Sequence, residues 1–225
     1  MPAVEHHFTH RSPLIRAAVL GANDGIISMS GVLMAVVSAG ADQSQITLTT
    51  MSALIAGALS MGAGEYISVS SQLDSEKADI LREQKALQDH PKDELNELIQ
   101  NYQAKGLDHA LATQVAKQLT NKNALKTHLQ EELGLEEGDL SQPKTAAIIS
   151  FSAFAIGGGI PGLLSILLRP EQITTWIYPL TLTCLGTLGY LSSKLGGVPP
   201  FKGTVRVLLM GIGVLILTQI IGQYI

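Results

Sequence analysis

The sequence predicts an all-α fold: a polytopic membrane protein with five transmembrane helices and a cytoplasmic helical insert between the second and third. Three observations carry this. Residues 13–73 and 144–225 are nearly free of charge and hold long apolar runs, each close to the roughly 20 residues that a helix needs to cross the hydrocarbon. Residues 74–139 instead hold fourteen of the nineteen acids against eight bases. The basic residues of the short loops gather on one side. The chain thus divides into 1–73 (N-terminal tail and the first two spans), 74–143 (acidic helical insert) and 144–225 (the last three spans). The formal charge of −4 averages two apolar blocks with one acidic block, and no basic stripe marks a nucleic-acid partner.

The first span reads from 14 to 39. Pro13 suits its start, because the missing N–H would have no helical partner there. After the loop AGADQSQ, a second span reads from 46 to 69 and continues, with no proline or glycine beyond Gly64, to Gln88. His90-Pro91 breaks that rod. Pro91 opens a helix to about Ala104, which Gly106 ends. Asp108 is the N-cap expected for a helix to Leu119, and Asn121 or Asn123 for a last one ending at Gly134. The third span reads from 146 to 168, the fourth from 173 to 195 and the fifth from 204 to 224. FAIGGGIPGLL in the third predicts a kink or an unwound turn, since three glycines and Pro161 make a poor helix interior.

Orientation follows from the bases flanking the spans. Arg11, Arg16, Lys194, Lys202 and Arg206 fall on one side, against Arg169 on the other, so the N-terminus and the acidic insert are expected to be cytoplasmic. The start MPAVEHHFTHRSP lacks the marks of a secretory signal. His6, His7 and His10 are read as a polar tail rather than a metal site. A single cysteine, Cys184, excludes a disulfide framework and a cysteine-rich zinc site.

Asp24 stands near the middle of the first span. A carboxylate at that depth costs on the order of 3 kcal/mol or more, and marks a cavity, a partner or a function. Gly21 and Gly25 around it form GxxxG, which permits close helix approach. In the second span, Met61 and Glu65 lie four apart on one helical face. Beside them Ala56, Ser60, Gly64 and Ser68 make a small-residue stripe. Because the first two spans are antiparallel, Asp24 and Met61 should share a depth, with Glu65 a turn nearer the cytoplasm. Carboxylates with a thioether suit a borderline transition cation better than Mg²⁺ or Ca²⁺. For Met61 alone, ligation and packing are equally open. Thr181, Thr183, Thr187 and Tyr190 read best as bonding back to their own helix.

The insert offers Glu83, then Glu94 and Glu97 three apart, then Glu131, Glu132 and Glu136. Glutamates at that spacing can share a cation, although an ordinary solvated acidic face explains the composition as well. Enzyme chemistry finds little support. A carboxylate-bridged di-iron site wants Glu-x-x-His on two helices, and only the reversed His128-x-x-Glu131 occurs. No phosphate loop and no nucleophile–base pair stands out.

RAAVLGANDGIIS, AGALSMGAGEYISVSSQLDSEKADI, HLQEELGL and IGGGIPGLL, in that order, resemble the vacuolar iron transporter family along nearly the whole chain. The resemblance implies a five-span homodimer in the lipid bilayer, with a cytoplasmic metal-binding helical domain between spans two and three. It implies movement of Fe²⁺, and often Mn²⁺, out of the cytosol in exchange for protons, with no permanently bound cofactor. Asp24 matches the family's membrane aspartate and Met61 its span-two methionine. Glu83, Glu94 and Glu97 match glutamates of the cytoplasmic site, and Glu131 or Glu132 the acids of its last helix. Plant members carry a further glutamate eight residues before the methionine, where Ala53 stands here, and a proline after the span-one aspartate that this chain lacks. Glu65 looks typical of bacterial members and is the acid available to replace the missing charge, so a bacterial inner membrane is the expected location. A membrane-anchored metal sensor or buffer without transport is the alternative.

Overall fold

The computed structural model describes residues 13–135, 140–197 and 199–224; His6, His7, His10, Arg11 and Glu136 lie outside them. Every regular element among the described residues is helical. α1 spans Pro13–Ser38, α2 Gln43–Asp89, α3 Pro91–Ala104, α4 His109–Glu131, α5 Pro143–Gly162, α6 Leu164–Leu167, α7 Pro170–Leu195 and α8 Pro200–Tyr224. The helices form two compact units, Met1–Ile67 with Lys144–Ile225, and Ser68–Pro143, and the boundary at Ile67 falls inside α2.

Four helical stretches among the described residues are long and apolar enough to cross a membrane: Pro13–Ser38, Gln43–Asp89, Pro143–Leu167 and Pro200–Tyr224. This is the pattern of a polytopic membrane protein. α7 matches them in length with 26 residues, but its five threonines, with Trp176, Tyr178, Pro179 and Tyr190, dilute its leucines.

Local chemistry sets the ends of these helices. Asp42 caps α2 by accepting the Gln45 N–H at 2.9 Å, and its own N–H donates to Gln45 Oε1 at 3.1 Å. Gln43 Nε2 and Thr47 Oγ1 both donate to the Ser165 carbonyl, at 2.6 and 2.7 Å, tying the start of α2 to α6. Pro170 opens α7, where the Arg169 N–H donates to Gln172 Oε1 at 3.1 Å.

The core of the first unit joins Leu33 and Met34 of α1, Ile46 of α2, Ile173 and Ile177 of α7 and Leu215 of α8. Thr181 donates to Ser30 Oγ at 2.8 Å in this buried region, whereas Thr183 and Thr187 bond to the carbonyls four residues before them in α7. A second cluster joins Met29, Ala58 and Phe154 of α1, α2 and α5. There the glycines serve contact. A methyl on Gly21 would stand 2.7 Å from the Ser150 carbonyl oxygen, and one on Gly25 would meet the Phe154 carbonyl.

This contact accounts for the triple glycine. α5 runs helically through Gly157, Gly158, Gly159 and Pro161, and the break expected in this stretch falls at Leu163. A Cβ on Gly158 would lie 2.6 Å from Met29 Cγ and one on Gly157 3.0 Å from Ala22 Cα, so the glycines let α1 and α5 approach. Pro161 sits in the last turn of α5, where few helical bonds remain to be lost.

The second unit packs Leu98, Ile99 and Tyr102 of α3 against Ala112 and Ala116 of α4. Gly106, at φ +100°, makes the tight turn between them, a conformation that favours glycine. Asp108 caps α4 through the Leu111 N–H at 3.0 Å. The two helices expected after Asp108 meet within α4 at a break where Asn123 leaves the helical region (φ −166°, ψ 94°). Asn123 Oδ1 accepts the Lys126 N–H at 3.0 Å and so caps the second segment. Where the chain returns, Ser141 donates its N–H (2.9 Å) and hydroxyl (2.6 Å) to the Glu76 carboxylate. Burial pulls the Glu76 carboxyl upward, but the Ser141 and Gln72 donors outweigh it and leave Glu76 below the ordinary carboxylate value.

Candidate metal centres

Three helices of the Ser68–Pro143 unit deliver one cluster. Glu83 comes from the tail of α2. The break at His90, followed by Pro91 at the first position of α3, restarts the chain so that Glu94 falls within its first turns. The segment of α4 after Asn123 brings His128, and Glu132 follows at its C-cap. Ligand atoms of Glu83, Glu94, His128 and Glu132 all lie within 4.8 Å of one another.

His128 is the centre of the group, with its side chain wholly buried while Glu83, Glu94 and Glu132 are 13, 13 and 18 % exposed. Its Nδ1 stands 2.8 Å from Glu132 Oε1, 3.1 Å from Glu83 Oε1 and 3.8 Å from Glu94 Oε2. Among the described residues its buried Nε2 has no hydrogen-bond partner. One imidazole nitrogen facing three carboxylates suits a divalent transition cation: imidazole fits Fe²⁺ and Zn²⁺, and carboxylates extend the set to Mn²⁺.

The electrostatics agree with a site short of positive charge. Burial, the nearby Glu132 and, less strongly, Glu94 and Glu97 raise the Glu83 carboxyl against the pull of His128. Burial also raises Glu132, opposed by His128 and assisted by Glu97 and Glu94. A divalent ion would relieve both.

Two of the sequence candidates stand apart from the four donors. Glu97 is exposed; its charge is felt at Glu83 and Glu132, but it is not one of the group within 4.8 Å. Glu131 turns to Lys105 and accepts a hydrogen bond from the Tyr102 hydroxyl at 3.1 Å. The Lys105 contact holds Glu131 below the ordinary carboxylate value, while burial and Glu131 itself push the Tyr102 phenol up to about 12. Of the pair Glu131 and Glu132, the structure brings only Glu132 to the cluster. Sequence reasoning missed His128 because it tested the three-residue spacing to Glu131. The four-residue spacing to Glu132, which shares a helical face, was the available signal.

Asp24, Met61 and Glu65 line one cleft of about 390 Å³ in the other unit, with Ser28 from α1, Gly57, Ser60 and Gly64 from α2, and Phe154 from α5. Ser28 Oγ donates to Asp24 Oδ1 at 2.8 Å, one turn along α1. Met61 also packs against the Met29–Ala58–Phe154 cluster, so it both fills and lines. Ala53, which stands where the resemblance gives plant members a further glutamate, lines the same cleft. The cleft thus combines two carboxylates, the thioethers of Met29 and Met61, and serine hydroxyls.

The VIT family model matches residues 15–223. A vacuolar iron transporter of Acanthamoeba castellanii is 38% identical over 212 residues, which cover 92% of this chain and 78% of that protein. A vacuolar iron transporter of Toxoplasma gondii is 32% identical over 161 residues, covering 70% of this chain and 53% of that one. A vacuolar iron transporter homolog, 2.1, of Arabidopsis thaliana is 27% identical over 208 residues, covering 92% and 79%. With a family match running nearly from end to end, and 38% identity sustained across most of both chains, the protein belongs to the VIT family.

Proposed function

We propose that the chain exports divalent iron, manganese or both from the cytosol in exchange for protons. The observation that carries this reading is the Glu83–Glu94–His128–Glu132 cluster, in a chain whose relatives include proteins named vacuolar iron transporters. The cation is substrate, not a resident cofactor. Those four side chains capture it, with Glu97 as an outlying acid that raises the local concentration of cations. Glu131 is left out because Lys105 and Tyr102 occupy it. Asp24, Met61 and Glu65 then pass the cation through the membrane, with Ser28 fixing the Asp24 carboxylate. Exchange follows because metal and proton compete for the same oxygens.

The arrangement goes with five spans, α7 being the fourth in order, and with the N-terminus and the acidic unit in the cytosol. We place the protein in a bacterial inner membrane, on the Glu65 pattern. A homodimer is supported by the stripe Ala56, Ser60, Gly64 and Ser68, all exposed in the single chain.

Reconstituted vesicles test this directly. Uptake or release of Fe²⁺ and Mn²⁺ is expected to follow an imposed pH gradient and to be lost in Asp24→Asn. Flux that ignores the gradient removes the proton coupling, and undiminished flux in Asp24→Asn removes the membrane site. A metal sensor or buffer without transport is the second reading, favoured by a cluster that lies wholly in one unit. It requires metal binding with no flux.

A further inference from the structure

A second cleft, of about 450 Å³, opens where α1 begins, α7 ends and α8 begins. Its size falls in the range of about 300–1,000 Å³ typical of small-molecule pockets. Ile15, Val19, Leu188 and Leu195 give it an apolar wall, Arg16 stands on it, and Asn23 lies two turns further along α1. Among the described residues the buried amide oxygen of Asn23 has no hydrogen-bond partner. None of these groups belongs to the cleft of Asp24, Met61 and Glu65.

Charge selects the occupant. Lys194, Lys202 and Arg206 stand on the same helix ends as Arg16, and among the described residues no acid occurs in α1 before Asp24, from Thr187 to the end of α7, or in α8. Arg16 is exposed, and no carboxylate pairs with it among the described residues. An apolar groove with the Arg16 guanidinium on its lining, in a chain of membrane-length helices, fits one ligand class: an amphiphile with an anionic head. We propose that this cleft seats an anionic phospholipid, the phosphate on Arg16 and one acyl chain along Val19, Leu188 and Leu195.

The inference rests only on the membrane reading and is separable from transport, since lipid binding is read without metal. Full-length protein is placed in phosphatidylcholine nanodiscs with or without phosphatidylglycerol, and its thermal midpoint and retained lipid (by native mass spectrometry) are measured. Phosphatidylglycerol is expected to raise the midpoint and to be retained. Arg16→Gln should weaken its apparent affinity about five-fold, as expected for one basic residue near an anionic lipid. Leu188→Trp, which fills the groove, should abolish retention, and Lys202→Gln should keep it. Should Leu188→Trp fail to fold, Arg16→Gln, at an exposed position, decides. Equal midpoints in the two lipids, unchanged retention in Arg16→Gln, or full reproduction of the effect by inorganic phosphate would overturn the proposal.

Discussion

His128 Nδ1 lies 2.8 Å from Glu132 Oε1, one helical turn away, while Nε2 of the same ring is buried with no hydrogen-bond partner among the described residues. The imidazole therefore spends its one directed contact on the acidic cluster. Replacing it with alanine is expected to lower the affinity for Fe²⁺ more than about ten-fold, in the range of changes that disturb a metal site. Mn²⁺ should lose less, because carboxylates suffice for it. Calorimetric titration of both cations into the whole protein checks this, and equal losses would count against His128 as a ligand.

Glu131 and Glu132 should separate cleanly. Glu132→Gln is expected to remove a donor and weaken cation binding. Glu131→Gln should leave binding within about two-fold and cost only about 0.5–1 kcal/mol of stability, the worth of a part-exposed ion pair. Paired titrations and thermal melts decide. The opposite ranking would place Glu131 in the site and remove Glu132.

Acidity acts on this unit in two directions. Glu83 and Glu132 are raised above the ordinary carboxylate value of 4.5. Their contribution to metal-free stability is therefore fully present below 4.5 and is lost as pH rises through their raised values. Glu76 and Glu131 are lowered, so theirs is present above 4.5 and is lost as pH falls through their lowered values. The double variant Glu83→Gln, Glu132→Gln should flatten the loss on the alkaline side of 4.5, and Glu76→Gln should flatten the loss on the acid side. In the parent, Mn²⁺ should restore the midpoint most near neutral pH, where protons no longer compete. Thermal midpoints against pH, with and without Mn²⁺, read all three.

In the membrane cleft, Ser28→Ala removes the donor to Asp24 and is expected to slow flux about ten-fold, a usual cost for losing a group that orients a ligand. Gly64→Leu removes no ligand, and nothing stands within 4 Å of a Cβ added there. It should fold with a near-parent midpoint yet transport poorly, because the new side chain projects into the cleft or from the small-residue stripe. Vesicle flux alongside thermal melting separates these outcomes, and normal flux in Gly64→Leu would count against the route.

Close packing makes its own prediction. Gly25→Val drives a branched side chain into the α5 backbone at Phe154 and Gly158. The cost is expected to reach about 1–3 kcal/mol or more, read as a lower midpoint in detergent.

Much of the helix layout was legible because punctuation residues wrote it: Pro13, His90-Pro91, Gly106 and Asp108 each mark an end through a missing donor, a cap or a positive φ. Two features were less so. The triple glycine reads as a weak point, and the helix does give way just after it at Leu163, but the close approach to α1 that it permits shows only once α1 is placed against it. The choice between Glu131 and Glu132, and with it His128, depends on the rotation of the segment after Asn123, which no local pattern encodes. The donor types were visible in the sequence; their meeting point was set by tertiary packing.

The break at Asn123 also governs which length changes the acidic unit can tolerate. One residue inserted between Leu119 and Asn123 can be absorbed where the backbone is already extended. The same insertion between Asn123 and His128 would turn His128 and Glu132 together by about 100°, dismantling the donor set without altering a single one of its residues. Variation in loop length among relatives should therefore gather before this asparagine and be rare after it.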